Sequence, residues 1–123
     1  MNFDAAFDKL IEREGGYSDN ASDPGGKTRY GITESVARAN GYLGAMNELP
    51  MALAKVIYFK SYWSTCHCDE LPDAVRYDVF DGAVNSGNSQ SIKWLQRAIN
   101  VSDDGVIGKV TIDAAQNLSL IHI

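Results

Sequence analysis

The run Phe3-Asp4-Ala5-Ala6-Phe7-Asp8-Lys9-Leu10-Ile11-Glu12-Arg13-Glu14-Gly15-Gly16-Tyr17 decides the reading of this chain. Phe3, Ala6, Phe7, Leu10 and Ile11 recur at the spacing of one helical face, which predicts an amphipathic helix over about residues 3–14. Gly15-Gly16 stops it. Glu14 is then the last helical residue, a carboxylate facing a groove rather than locked into a core. The negative end of the helix dipole disfavours its ionised form. A general acid for glycoside cleavage has to hold its proton near neutral pH, and this position suits one. A solvated Glu on the polar face of the helix is the plainer reading of the same residue.

Outward from that helix, residues 15–32 hold five glycines and one proline among Asp, Asn and Ser. This is turn and loop chemistry, with room for a short hairpin. Thr33 can cap a second helix, with Glu34 in its first turn, running to about Asn40-Gly41. A longer helix comes after Pro50, with Leu53, Val56, Ile57 and Lys60 on one side and Tyr58, Phe59, Tyr62 and Trp63 at its end. Leu71-Pro72-Asp73 opens another, closed by Asn85-Ser86-Gly87. Ile92, Leu95, Ala98 and Ile99 stripe a further helix, and after the turn Asp104-Gly105-Val106-Ile107-Gly108, Thr111 can cap a last short one. The fold class is mainly α, with a glycine-rich loop or short hairpin after the first helix.

With 123 residues, 45% hydrophobic and 22% charged, the chain fits one compact domain, or one small domain plus a fragment, and buries a core without needing disulfides. The net charge of −5 argues against non-specific nucleic-acid binding, which needs Lys and Arg against phosphate. It also counts mildly against a substrate as anionic as the bacterial wall, although local charge matters more than the total. The N-terminus has no basic segment leading into an apolar one, and no stretch reaches a membrane span. Synthesis in the cytoplasm without a signal peptide and no stable membrane insertion are the expectations. Cys66 and Cys68 flank His67, a spacing too short for an ordinary disulfide and unlike a zinc knuckle, so free thiols and no metal are expected.

The second acidic candidate is Asp23, in Asp23-Pro24-Gly25-Gly26-Lys27-Thr28. A loop carboxylate opposite a helix-end Glu is the paired arrangement that glycosidases use, and Asp19 competes for the same role. Both also read as turn residues. Thr28 could hold an attacking water beside a carboxylate, as could Thr33 apart from its capping role. Tyr17, Tyr30, Tyr58, Tyr62 and Trp63 could offer flat faces to sugar rings, or pack the core.

These residues fall into an order that carries a resemblance. Glu14-Gly15-Gly16-Tyr17, Asp23-Pro24-Gly25-Gly26-Lys27-Thr28 and Gly31-Ile32-Thr33 resemble the marks of glycoside hydrolase family 108. Its members are lysozyme-like N-acetylmuramidases, once described as secretion activators. Ile57-Tyr58, Tyr62-Trp63 and Phe80-Asp81-x-Ala83-Val84-Asn85-Ser86-Gly87 resemble later blocks, so the likeness covers about residues 3–88. It implies a lysozyme-like helical fold and hydrolysis of the bond between N-acetylmuramic acid and N-acetylglucosamine. Glu14 matches the family's catalytic glutamate. The spacing of Glu14, Asp23 and Thr28 is similar to the Glu/Asp/Thr triad of phage-type lysozymes, with the threonine one residue nearer. Tyr17, Tyr30, Thr33, Tyr62, Trp63 and Asn85 are the implied substrate contacts.

Residues 1–88 are then the catalytic domain. Residues 89–123 resemble the start of a peptidoglycan-binding segment, through Trp94-Leu95-Gln96-Arg97-Ala98-Ile99-Asn100 and Asp104-Gly105-x-x-Gly108-x-x-Thr111, and that segment looks truncated. The implied chemistry requires no cofactor, the partner is the peptidoglycan glycan strand, and a monomer is the expected state. A phage or prophage endolysin released by a holin, or a bacterial protein exported without a leader, would act in the periplasm or cell wall. A lytic transglycosylase using Glu14 alone, and a peptidoglycan-binding or secretion-associated protein without catalysis, are the alternatives.

Overall fold

Asn2 sets where the first helix begins. Its side-chain oxygen accepts the Ala5 N–H at 2.9 Å, and its carbonyl accepts the Ala6 N–H. Helix α1 then runs Phe3–Glu14, with Asp4 in its first turn and Arg13 in its last, both complementing the helix dipole. The computed structural model describes residues 1–14, 16–18 and 27–121, without the side chains of Ser18 and of 118–121. These residues are mainly helical, with one small sheet after the first helix. They divide into two compact units, one of residues 7–58 and one of residues 1–6 with 59–123.

In the unit of residues 7–58, α1 buries Phe7 and Leu10. After it come three two-residue strands, β1 Tyr17–Ser18, β2 Thr28–Arg29 and β3 Ile32–Thr33, in an antiparallel sheet of that order. Helix α2, Glu34–Ala39, starts at Thr33, whose hydroxyl accepts the Val36 N–H as its cap. A single 3₁₀ turn, Met46–Glu48, buries Met46, and α3 runs Met51–Tyr58. Ala54, Ile57 and Tyr58 are its buried residues, whereas Val56, expected on one side with Ile57, is half exposed. The Phe7 and Tyr58 rings lie 5.9 Å apart, joining α1 to α3.

The other unit opens with a π turn, Phe59–Trp63, in which the Ser64 N–H reaches back five residues to the Phe59 carbonyl. Trp63 is fully buried, with ring centroids 5.5 Å from Phe3 and 5.4 Å from Phe80, both edge-on. Its indole N–H finds no acceptor among the described residues. A 3₁₀ turn, Cys68–Glu70, leads to α4, Asp73–Ser86. Helix α5, Asn88–Ala98, packs back on α4, and the Ser91 hydroxyl donates to the Val79 carbonyl at 2.7 Å in the buried seam. A single residue joins the two helices. Gly87 has φ +93° and ψ 152°, backbone that is essentially glycine's alone.

Helix α6, Lys109–Ile121, comes after a loop built around buried Gln96. The Gln96 amide nitrogen lies within hydrogen-bond distance of Asp104 Oδ1, the Val106 carbonyl and Thr111 Oγ1, and its oxygen accepts the Gly105 N–H. Thr111 therefore does not cap α6, as its place in the sequence suggested. It lies inside the first turn, buried, and is bound to Gln96.

Cys66 and Cys68 are free and buried. The Cys66 thiol donates to Asn88 Oδ1, whose amide nitrogen donates in turn to the Ser61 carbonyl. Burial pushes the Cys66 thiol up to about 11 from an ordinary 9.0. Burial also raises Cys68, and the neighbouring Cys66 and Asp69 raise it further.

The joint at Gly87 can be tested by adding a methyl. Gly87→Ala should cost about 1–3 kcal/mol in urea denaturation, from backbone strain alone, because no atom lies within 4 Å of the new methyl. Gly108→Ala, where the methyl is equally free and φ is not positive, should cost less, about 1 kcal/mol or below, from the preference for glycine over alanine at the residue immediately before α6. The thiols allow a second test. The unfolded Cys66 thiol ionises near 9.0 while the folded one holds its proton to about 11, so the stability it contributes is complete below pH 9 and is lost as pH rises towards 11. The urea midpoint should fall across that window, and Ellman's reagent at pH 8 should find both thiols silent until the chain is unfolded. Prompt native-state reaction would overturn the assignment.

Candidate functional site

Glu14 closes α1 with its side chain 27% exposed, and the Arg13 Nε stands 3.5 Å from one of its carboxylate oxygens. The chain returns to it through the hairpin. Between β2 and β3 lie only Tyr30 and Gly31, with φ of +52° and +77°. Two consecutive positive φ values are what a two-residue hairpin turn matching the strand twist requires. Gly31 supplies its share without strain, whereas Tyr30 holds a conformation that L residues other than Asn and Asp rarely adopt.

Three hydrogen bonds and a stacking contact hold Tyr30 there. Its N–H donates to the Gly16 carbonyl at 3.2 Å, and its carbonyl accepts the Tyr58 hydroxyl at 2.7 Å. The Arg29 guanidinium donates to the Tyr30 hydroxyl at 2.9 Å and lies 4.5 Å from the Tyr30 ring centroid. Arg29 Nε also reaches the Leu49 carbonyl at 3.3 Å, tying β2 to the segment before α3.

Gly31 faces the carboxylate. A β-carbon built there would overlap the Tyr58 hydroxyl and would lie 3.2 Å from both Cβ and Oε2 of Glu14. Glu14, the Tyr30-Gly31 turn and Tyr58 thus meet at one point. The signal for the turn was present in the sequence, as Tyr-Gly between Arg29 and Ile32. Its partners, on α1 and α3, could not be read from local pattern.

The remaining expected residues are spread more widely. The register pairs Thr28 with Thr33, so these two hydroxyl residues share one face of the β2–β3 hairpin, opposite the face that carries buried Ile32. Thr28 is half-buried. Thr33 belongs to the helix cap. Tyr17 is exposed on β1. Asp23 and its competitor Asp19 lie outside the described residues.

Tyr62, Trp63 and Asn85 belong to the other unit. Tyr62 is half-buried, and Asn85 is exposed, donating to Asp81 one helical turn back. Trp63, expected to meet sugar, packs the aromatic core instead. The π turn gives the reason: its wider period carries the inward position to Trp63, the last residue of the turn. Tyr58, also a candidate sugar face, is 1% exposed and offers no ring to a ligand.

A family model, Glycosyl hydrolase 108, matches residues 7–87. Among curated proteins, none matches the chain. Among solved structures, Brucella abortus SagA is similar: 34% of residues are identical and the TM-score is 0.80, over 94% of this chain and 68% of SagA's.

The capping geometry of Thr33 yields a direct test. Thr33→Ala should destabilise the protein by about 1 kcal/mol through loss of the α2 cap, and Thr33→Ser should restore most of it. Denaturation curves for the two variants check this. An equal loss in both would show that the threonine methyl, not the cap oxygen, matters.

Proposed function

The chain belongs to the glycosyl hydrolase 108 family, and from that premise we propose that it is a peptidoglycan hydrolase, an N-acetylmuramidase with Glu14 as its general acid. One observation supports the reading above the others. Glu14 is a partly exposed carboxylate at a helix end, backed by the bare face of Gly31 and lying within the family match. Such a group is accessible to a glycan yet restrained on one side, as a proton donor needs to be.

In this reading, protonated Glu14 donates to the glycosidic oxygen between N-acetylmuramic acid and N-acetylglucosamine as that bond breaks. The oxocarbenium-like sugar that develops is stabilised by Asp23, or is attacked by a water that Asp23 and Thr28 hold. Tyr17 and Tyr30 are the aromatic residues proposed to meet the strand from the unit that carries Glu14. Residues 1–88 are the proposed catalytic part and residues 89–123 the start of a wall-binding segment. The enzyme acts as a monomer in the periplasm or wall, delivered by a holin or an export system. No described helix is long and apolar enough to cross a membrane.

The test is digestion of purified peptidoglycan by the wild type and by Glu14→Gln, with released muropeptides reduced by borohydride and identified by mass spectrometry. Reducible muramic-acid ends are expected from the wild type, and Glu14→Gln should release them at least about 100-fold more slowly. Anhydromuramic ends would assign a lytic transglycosylase. No fragments from a folded wild type would assign a binding protein.

A further inference from the structure

The hydroxyl of Tyr58 has no packing reason to be where it is. The Tyr58 ring fills core space against Phe7, and a phenylalanine would fill that space equally well. The oxygen instead reaches out of the core to the carbonyl of Tyr30, a residue in left-handed backbone, at the turn that faces Glu14. The point a Gly31 side chain would occupy lies against that oxygen on one side and against Glu14 Cβ and Oε2 on the other. The hydroxyl therefore does two things at once. It holds the turn in its unusual handedness, and it keeps the Gly31 face close to the carboxylate.

From this geometry we infer that Tyr58 is a positioning residue for Glu14, acting through the Tyr30-Gly31 turn, and that Gly31 is the face against which the carboxylate is set. The inference rests on the reading of Glu14 as the proton donor. Without the hydroxyl, the Tyr30 carbonyl loses its clamp and the turn can relax away from α1. Glu14 would then sample more rotamers, and fewer of them would aim a proton at the glycosidic oxygen. Of the proposed substrate contacts, only Tyr30 belongs to that turn, and its ring keeps the Arg29 guanidinium that stacks on it. The loss should therefore fall mainly on kcat, with a small change in KM at most.

The experiment measures kcat, KM and Tm for the wild type, Glu14→Gln, Tyr58→Phe, Gly31→Ala and the Tyr58→Phe/Gly31→Ala double variant on solubilised peptidoglycan, well below the lowest Tm. Tyr58→Phe should lose about tenfold in kcat with KM within about twofold of wild type. Gly31→Ala should lose more, because its methyl overlaps the Tyr58 hydroxyl and also crowds Glu14. In the double variant the two losses should be less than multiplicative, since both act on one carboxylate. Gly31→Ala keeps the test open if Tyr58→Phe does not fold.

Wild-type kcat in folded Tyr58→Phe, with Glu14→Gln inactive, would overturn the inference and leave the Glu14 assignment standing. So would a kcat loss no larger than the unfolded fraction explains. Full activity in Glu14→Gln would instead remove the assignment on which the inference rests.

Discussion

A space no larger than a methyl group separates the Gly31 backbone from the Tyr58 hydroxyl and the Glu14 side chain, and it has to stay clear of any side chain. Much of the unit of residues 7–58 depends on that constraint. Only glycine sits there without displacing a neighbour, and glycine at this place in a two-residue turn lets β2 and β3 pair with the twist that strands prefer. The turn in turn receives the Tyr58 hydroxyl from α3 and offers the Tyr30 N–H to the chain just past α1. Strands of two residues supply too few ladder bonds to stand alone. Their geometry is set by helices that hydrophobic burial already holds together, through Phe7 and Tyr58.

How much of this was legible depends on whether the cause was local. Helix α1 is readable with its bounds because five apolar residues keep one period and Gly15-Gly16 breaks it. The Thr33 cap is legible for the same reason, since an N-cap needs only its own hydroxyl and the N–H three residues on. Sequence and structure part where the period changes or the partner is distant. Trp63 reads as a ligand face because a π turn leaves no mark in composition. Thr111 looks like a cap because a hydroxyl near a helix start usually is one, and only Gln96, fifteen residues back, claims it. At the site, Glu14 is legible as the residue that ends a helix, but the surface it rests on is not. Gly31 and Tyr58 come from sequence positions 17 and 44 residues downstream, and no window of pattern reading joins them.

The unit of residues 1–6 and 59–123 is organised differently. Its core is aromatic, with Phe3, Trp63 and Phe80 meeting edge to face, and it buries a polar centre at Gln96. Gln96 alone binds three consecutive residues of the loop before α6, Asp104, Gly105 and Val106, and Thr111 in the first turn of that helix, so one buried amide ties the loop to the helix it leads into. Against that satisfied centre stands the Trp63 indole N–H, a buried donor without an acceptor among the described residues, whose desolvation costs about 1–3 kcal/mol.

The one-residue joint at Gly87 bears on how this chain can change in length. Each residue added to a helix rotates the rest of that helix by about 100°. An insertion or deletion within α5, between Asn88 and Ile92, would thus swing Ile92 and Leu95 away from α4, and a joint of one residue leaves no slack to turn them back. Point changes can accumulate along α4 and α5, but their register is fixed by a count of residues. An added length is better taken up in a connection such as residues 41–45, outside any helix and mostly exposed.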